Sequence, residues 1–340
     1  MNIPYRTRYA LKQAAIWGLI ILLIAGLAFL CWFTWLKRYV VYTRDQGAVL
    51  DMSLSAQVPA GEEALPPSRS EPINIYYNEG ENAINVSKEL TQITGYYADY
   101  AALHKGVDTV WAQAKVLTSD IPVMIDVKDG KGRFFYSSSV SSQRNSYVDV
   151  AAMDEMIRDL DRRGTYLIAR LPALRDYHFG LNNTINGLAV KSGGYLWADA
   201  DYCYWLNPTS QGTITYLVQI ITELKSLGFD EVVFDEFRFP DTDNLKFSGD
   251  KKEALEAAAE TLVTTCATEN FAVSFVQKAD FKLPLGRSRL YILEAVATNA
   301  ASIAQQTGLA DPAVHLVFLT EVHDTRFDAY SVLRPLEAAH

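Results

Sequence analysis

From residue 91 to residue 340 the chain alternates short apolar runs with longer amphipathic ones, and most of the apolar runs end on a charged side chain. Runs at 93–99, 121–127, 166–170, 231–235, 271–276, 290–293 and 314–320 read as buried strands, and 331–336 is a weaker eighth. Stretches at 107–119, 150–163, 214–227, 251–268 and 295–306 read as helices, and 172–212 is a long insertion. Strands that alternate with helices imply parallel strands joined by helical crossovers. The stretch matches the ~250 residues usual for an α/β chain closed into a (β/α)8 TIM-like barrel. A doubly wound open sheet is the alternative, but it needs a glycine-rich turn after its first strand. Tyr97-Ala98-Asp99-Tyr100-Ala101 does not supply one.

The amino terminus has a different character. Residues 14–36 run for 23 positions without a charge, enough to cross a ~30 Å hydrocarbon core as a helix. Trp17, Trp32 and Trp35 stand near its ends, where indole rings favour the headgroup region. A cleaved signal peptide would have a shorter apolar core and a small-x-small site after it, and Lys37-Arg38-Tyr39-Val40 is not one. The expected organisation is a short basic tail at 1–13, a transmembrane helix at 14–36, a juxtamembrane segment and linker at 37–72, and a barrel domain at 73–340. The free amino terminus favours an orientation with the tail inside, which puts the large domain outside the cytoplasm.

Residues 1–44 hold six basic residues and no acid, so the remainder carries 25 basic against 40 acidic residues. An acidic body argues against a nucleic-acid partner, because phosphate binding needs a basic face. Three cysteines without a C-x-x-C pair exclude a disulfide framework. G-x-G-x-x-G, G-x-x-x-x-G-K-[ST] and H-E-x-x-H are all absent, so no cofactor and no metal are expected. His323-Asp324 beside Glu321 is the one weak metal alternative.

In a barrel the carboxyl ends of the strands form the active face. Here they carry Asp99, Asp126 and Lys128, Arg170, Asp235 and Glu236, Glu294, and Glu321. Side chains two apart share a face of a strand. Asp126 and Lys128 should therefore lie on Met124's side, Arg170 on Ile168's, and Asp235 on Val233's, while Glu236 points away. A carboxylate beside Arg170 and Lys128 would stay ionised, which suits a nucleophile or transition-state stabiliser. The insertion adds Trp197 and Trp205 among other aromatics, and Tyr97 lies on the first strand. Aromatic faces can stack on sugar rings, and a 40-residue loop can equally need them for packing.

The same residues carry a resemblance. Ile125-Asp126-Val127-Lys128-Asp129, Tyr166-Leu167-Ile168-Ala169-Arg170, Trp205-Leu206-Asn207-Pro208 and Gly228-Phe229-Asp230-Glu231-Val232-Val233-Phe234-Asp235-Glu236-Phe237-Arg238-Phe239-Pro240 occur in that order. Over residues 93–240 the set resembles a bacterial family of glycoside hydrolases with a TIM barrel, largely uncharacterised and distantly α-amylase-like. The resemblance implies a carbohydrate substrate. It implies Asp235 as nucleophile or stabiliser, with Asp126, Lys128, Arg170 and Arg238 lining the mouth. Glu236 stands where the family has Tyr, and Asn207 where it has Asp. The family's late P-M-x-Y-P motif is missing, so the carboxy-terminal half reads as degenerate.

The proton donor is therefore sought among Glu321, Glu294 and Glu236, with Glu321 preferred for its clear strand. Tyr97, Trp197 and Trp205 join Asp126, Lys128, Arg170 and Arg238 as substrate-binding candidates. The leading reading is a membrane-anchored glycosidase of envelope or extracellular polysaccharide, working through two carboxylates. The alternative is a non-catalytic carbohydrate-binding or scaffold module on the same barrel.

Overall fold

The computed structural model describes residues 40–43, 47–50 and 89–336. The chain divides into two units, 1–81 and 82–340. In the first, Val40–Thr43 and Gly47–Leu50 pair as an antiparallel hairpin. Gly47–Leu50 lies inside the stretch read as linker, and pairs as a strand. The anticipated span at 14–36, the rest of the linker and the leading strand at 73–77 lie outside the described residues. Among the described residues no helix is long and apolar enough to cross a membrane.

The second unit is a closed ring of eight parallel strands, as the alternation predicts. They are β1 (Thr94–Ala98), β2 (Val123–Asp126), β3 (Leu167–Pro172), β4 (Glu231–Asp235), β5 (Ala272–Val276), β6 (Leu290–Leu293), β7 (Leu316–Leu319) and β8 (Ser331–Pro335). The weak eighth strand is real: β8 pairs with β7 on one side and with β1 on the other, closing the ring. Most of the strands are buried on both faces, which is why their sequences are largely apolar; β1 is the exception, with Thr94 exposed and Tyr96 and Tyr97 half-buried.

The helices are α1 (Tyr100–Lys105), α2 (Val107–Val116), α3 (Val150–Arg162), α4 (Tyr177–Asn182), α5 (Gln211–Ser226), α6 (Lys251–Cys266), α7 (Ala300–Thr307) and α8 (Pro312–His315). Aspartates start several of them. Asp99, Asp149, Asp176 and Asp250 each accept a backbone N–H in the first turn of the helix that follows. Gly228 ends the turn after α5 at φ +92°, and a Cβ there would meet the Asp161 carboxylate at 2.3 Å. The degeneracy expected of the second half falls on the crossovers and spares the strands. Residues 277–289 join β5 to β6 without a helix, and only a 3-10 turn, Thr325–Phe327, separates β7 from β8.

Inside the ring, Met124, Ile168, Val233, Tyr291, Val317 and Leu333 form an apolar layer. Below it, at the amino-terminal ends of the strands, lies a polar layer. Glu231 and Arg289 are almost wholly buried and pair at 2.5 Å. Glu231 also accepts from Ser274 Oγ at 2.5 Å, Tyr291 OH at 2.9 Å and Tyr166 OH at 3.0 Å. Arg289 donates to the carbonyls of Thr91 at 2.9 Å and Val314 at 3.1 Å.

Every polar group in this layer has a partner, so removing one strands the rest. Arg289→Met is expected to lower unfolding free energy by about 3–5 kcal/mol, read as a shift in urea midpoint. The double variant Arg289→Met/Glu231→Leu should recover part of that loss, because both charges then leave the interior together.

Candidate active site

The inward register continues to the carboxyl ends of the strands. Asp126 lies two residues after Met124, Arg170 two after Ile168, and Asp235 two after Val233, each the last or an inner position of its strand, whereas Glu321 lies two residues beyond the end of β7 and is exposed. Pairing places Asp126 beside Arg170, and Pro172 beside Asp235. The Arg170 guanidinium grips Asp126 with two bonds, Nε–Oδ1 at 2.6 Å and Nη2–Oδ2 at 3.0 Å. The Tyr100 N–H donates to the same carboxylate at 2.8 Å.

Burial acts to lower the Arg170 pKa, but Asp126 first, then Asp235 and Asp99, raise it well beyond its ordinary value. Burial raises the Asp126 carboxyl, with Arg170 and the Tyr100 N–H pulling the other way. Tyr97, half-buried on β1, lies with its ring 5.9 Å from the Arg170 guanidinium. Burial raises its phenol, Glu321 raises it further, and Arg170 opposes both. Tyr97 thus feels Glu321, Arg170, Asp99 and Asp126 at once, while Arg170 feels Asp235.

The remaining candidates separate. Lys128 does not reach this group. Its strand ends at Asp126, and the ammonium is buried 2.7 Å from Asp176, so the shared face with Met124 and Asp126 stops one alternation early. Tyr216 OH donates to the same Asp176 oxygen at 2.9 Å. Trp205 is only 2% exposed; its indole N–H donates to Asp199 at 3.1 Å, and Arg238 lies 4.8 Å over its ring. Trp197 packs edge-on against Trp205 at 6.5 Å. These tryptophans pack the insertion down and leave no open indole face at Trp205.

Glu236 turns out of the strand at φ +46° and pairs with Arg238 at 2.7 Å. Glu294, at φ +54°, is exposed beyond β6. Asp324 caps the turn at Thr325 and binds Arg326 at 2.9 and 2.6 Å. Among the described residues no three His, Cys, Asp or Glu side chains group as a metal site.

Two anchors escape a reading of the sequence. Asp176 and Asp199 look like ordinary loop acids, yet each gathers several donors. Asp199 takes Arg175 at 2.6 Å, Trp205, and the N–H groups of Asp201 at 3.0 Å and Cys203 at 2.9 Å. The only local signal was for Asp176, an Asp one residue before the helical run Tyr177–Asn182.

A cleft of about 600 Å³ opens beside Asp235, bordered by Glu236, Arg238, Gln277, Lys278, Leu293 and Ile303. A third anchor holds the loop after β2. Glu223 on α5 accepts from Tyr136 OH at 2.7 Å, and from the Ser138 and Ser139 hydroxyls at 2.6 Å each. Burial pushes Glu223 up, but these donors and the Ser139 N–H hold it below its ordinary value.

A depressed carboxylate adds stability above its unfolded pKa, about 4.3, and the gain is lost as pH falls through the lower folded value. Melting temperature measured from pH 6 to pH 3 should therefore drop more steeply for the wild type than for Glu223→Gln.

Among solved structures, the α-galactosidase of Lactobacillus brevis superposes with a TM-score of 0.53 at 12% identity, covering 74% of this chain and 39% of that one. The galactosidase domain of the α-galactosidase–sucrose kinase AgaSK gives 0.52 at 14% identity, covering 74% and 38%. A hypothetical protein from Ruminiclostridium thermocellum is 20% identical, covering 53% of this chain and 96% of that one, with a TM-score of 0.45. The chain thus spans well under half of either galactosidase chain, and at these identities the likeness is one of fold. No curated protein matches the chain by sequence. Residues 97–307, more than half of the chain, match the model of a family described as "Putative glycosyl hydrolase domain". The chain belongs to this family.

Proposed function

We propose that the protein is a membrane-anchored glycoside hydrolase that cleaves an envelope or extracellular polysaccharide. The observation that carries the reading is the group at the mouth: Asp235 ends β4 on the inward side shared with Val233, on the strand next to Arg170, whose guanidinium is held by Asp126 and lies 5.9 Å from the Tyr97 ring. Asp235 is the nucleophile or the stabiliser of the oxocarbenium-like centre, and Glu321 is the proton donor. β4 and β7 stand three places apart in a ring of eight, so their ends address one opening from different sides. Glycosidic cleavage needs such a pair of carboxyl groups flanking the bond. Asp126 positions Arg170 through two bonds, and Tyr97 offers its ring and hydroxyl to the sugar. Glu236 is paired with Arg238, and Glu294, exposed like Glu321, is not among the charges that act on Tyr97, so neither is assigned to proton transfer.

Reducing-sugar release from a panel of polysaccharides tests the assignment. Asp235→Asn and Glu321→Gln are each expected to lower kcat by about 10²–10⁴-fold, and Glu294→Gln to leave it near the wild-type value. Glycan binding without turnover, unchanged by both substitutions, would favour the non-catalytic module instead.

The anchor is a separate part of the proposal. It rests on the uncharged run at 14–36, and the free amino terminus beside it favours an orientation with the barrel outside the cytoplasm. Deleting residues 1–36 should move the protein from the membrane pellet to the soluble fraction.

A further inference from the structure

The cleft beside Asp235 differs in character from the mouth it adjoins. Asp235, Glu236, Arg238, Gln277 and Lys278 border it, but Val276, Ile292, Leu293 and Ile303 also line it. Leu293 is 36% exposed, and Val296, three residues on, is more exposed still. The topology explains why apolar side chains are uncovered here. The connection 277–289 after β5 has no helix, so the cover that a helical crossover would give this side of the ring is missing. Phe281 folds back toward Phe275, with ring centroids 6.0 Å apart. Ile303, on α7, forms the far wall.

A bare sugar suits this cleft poorly. Each hydroxyl set against Val276, Ile292, Leu293 or Ile303 would lose its water without gaining a partner. An acyl substituent suits it well: its methyl end buries apolar area, and its carbonyl accepts from a donor at the rim. Lys278 is an exposed ammonium at that rim. Gln277 is less available, since its amide already donates to the Phe237 carbonyl. The volume, about 600 Å³, leaves room for the sugar that bears the group as well.

Resting on the glycosidase reading above, we propose that the substrate is an acylated polysaccharide, with the acyl group of the sugar at Asp235 seated on Val276, Ile292, Leu293 and Ile303. N-acyl and O-acyl sugars share this chemistry, and the experiment separates them.

The test is binding, measured by saturation-transfer NMR on the full-length chain in detergent. The probes are matched oligosaccharides of gluco and galacto configuration, each bare, N-acetylated or O-acetylated. At least one acetylated member should bind about five- to tenfold more tightly than its bare counterpart, with transfer strongest at the acetyl methyl. Leu293→Asn should reduce that affinity to the level of the bare sugar. Ile303→Asn, on a different element, should do the same if Leu293→Asn disturbs folding. Asp235→Asn should keep the preference, so a failed catalytic assignment and a failed cleft assignment give different results. Equal affinity for acetylated and bare members, no binding of either, or a preference that survives both cleft substitutions would overturn the proposal.

Discussion

The buried pair of Arg289 and Glu231 holds the closed end of the ring together. One guanidinium reaches the carboxylate of β4, the carbonyl at the entry to β1 and the carbonyl before β7, while Tyr166, just before β3, meets both partners. Four parts of the ring are thus tied through one side chain. Burying two charges is costly, and here the cost is offset by a full set of donors and acceptors. Such a layer accepts few other arrangements, so it fixes how the strands are staggered. The stagger in turn decides which side chains come up at the opposite end.

The open end repeats the device with a different result. Arg170 again grips a carboxylate, Asp126, while Asp235 ends the neighbouring strand. Between the two charged layers lie Met124, Ile168, Val233, Val317 and Leu333, which keep water from running down the axis. One end is saturated with internal partners and serves stability. The other leaves carboxyl groups facing the mouth, as a site that must act on a ligand requires. Three anchors on loop acids and helix acids, Asp176, Asp199 and Glu223, steady the walls around it.

Much of this was legible in the sequence, and the misses have physical causes. Period-two alternation correctly aimed Asp126, Arg170 and Asp235 inward, because a strand cannot turn one side chain without turning its neighbours. The same rule failed at Lys128, because the strand ended first and the chain turned to bring the ammonium to Asp176. Trp205 was ambiguous for a different reason. An indole in a long loop can face solvent or pack inward, and only the position of Asp199 and Arg238 decided between them. Glu231 was hidden because it looks like a polar strand edge; its four partners come from residues 166, 274, 289 and 291, distant in the chain.

The sequence by itself determined the ring, its parallel strands and the family, since these follow from local pattern and a contiguous motif. It also determined that acids and arginines would gather at one rim. The tertiary structure alone decided which of those charges meet, which are closed off in pairs, and where a missing crossover helix leaves apolar side chains open beside Asp235. Those outcomes depend on distances between strands far apart in the chain, and on loops whose paths no local pattern specifies.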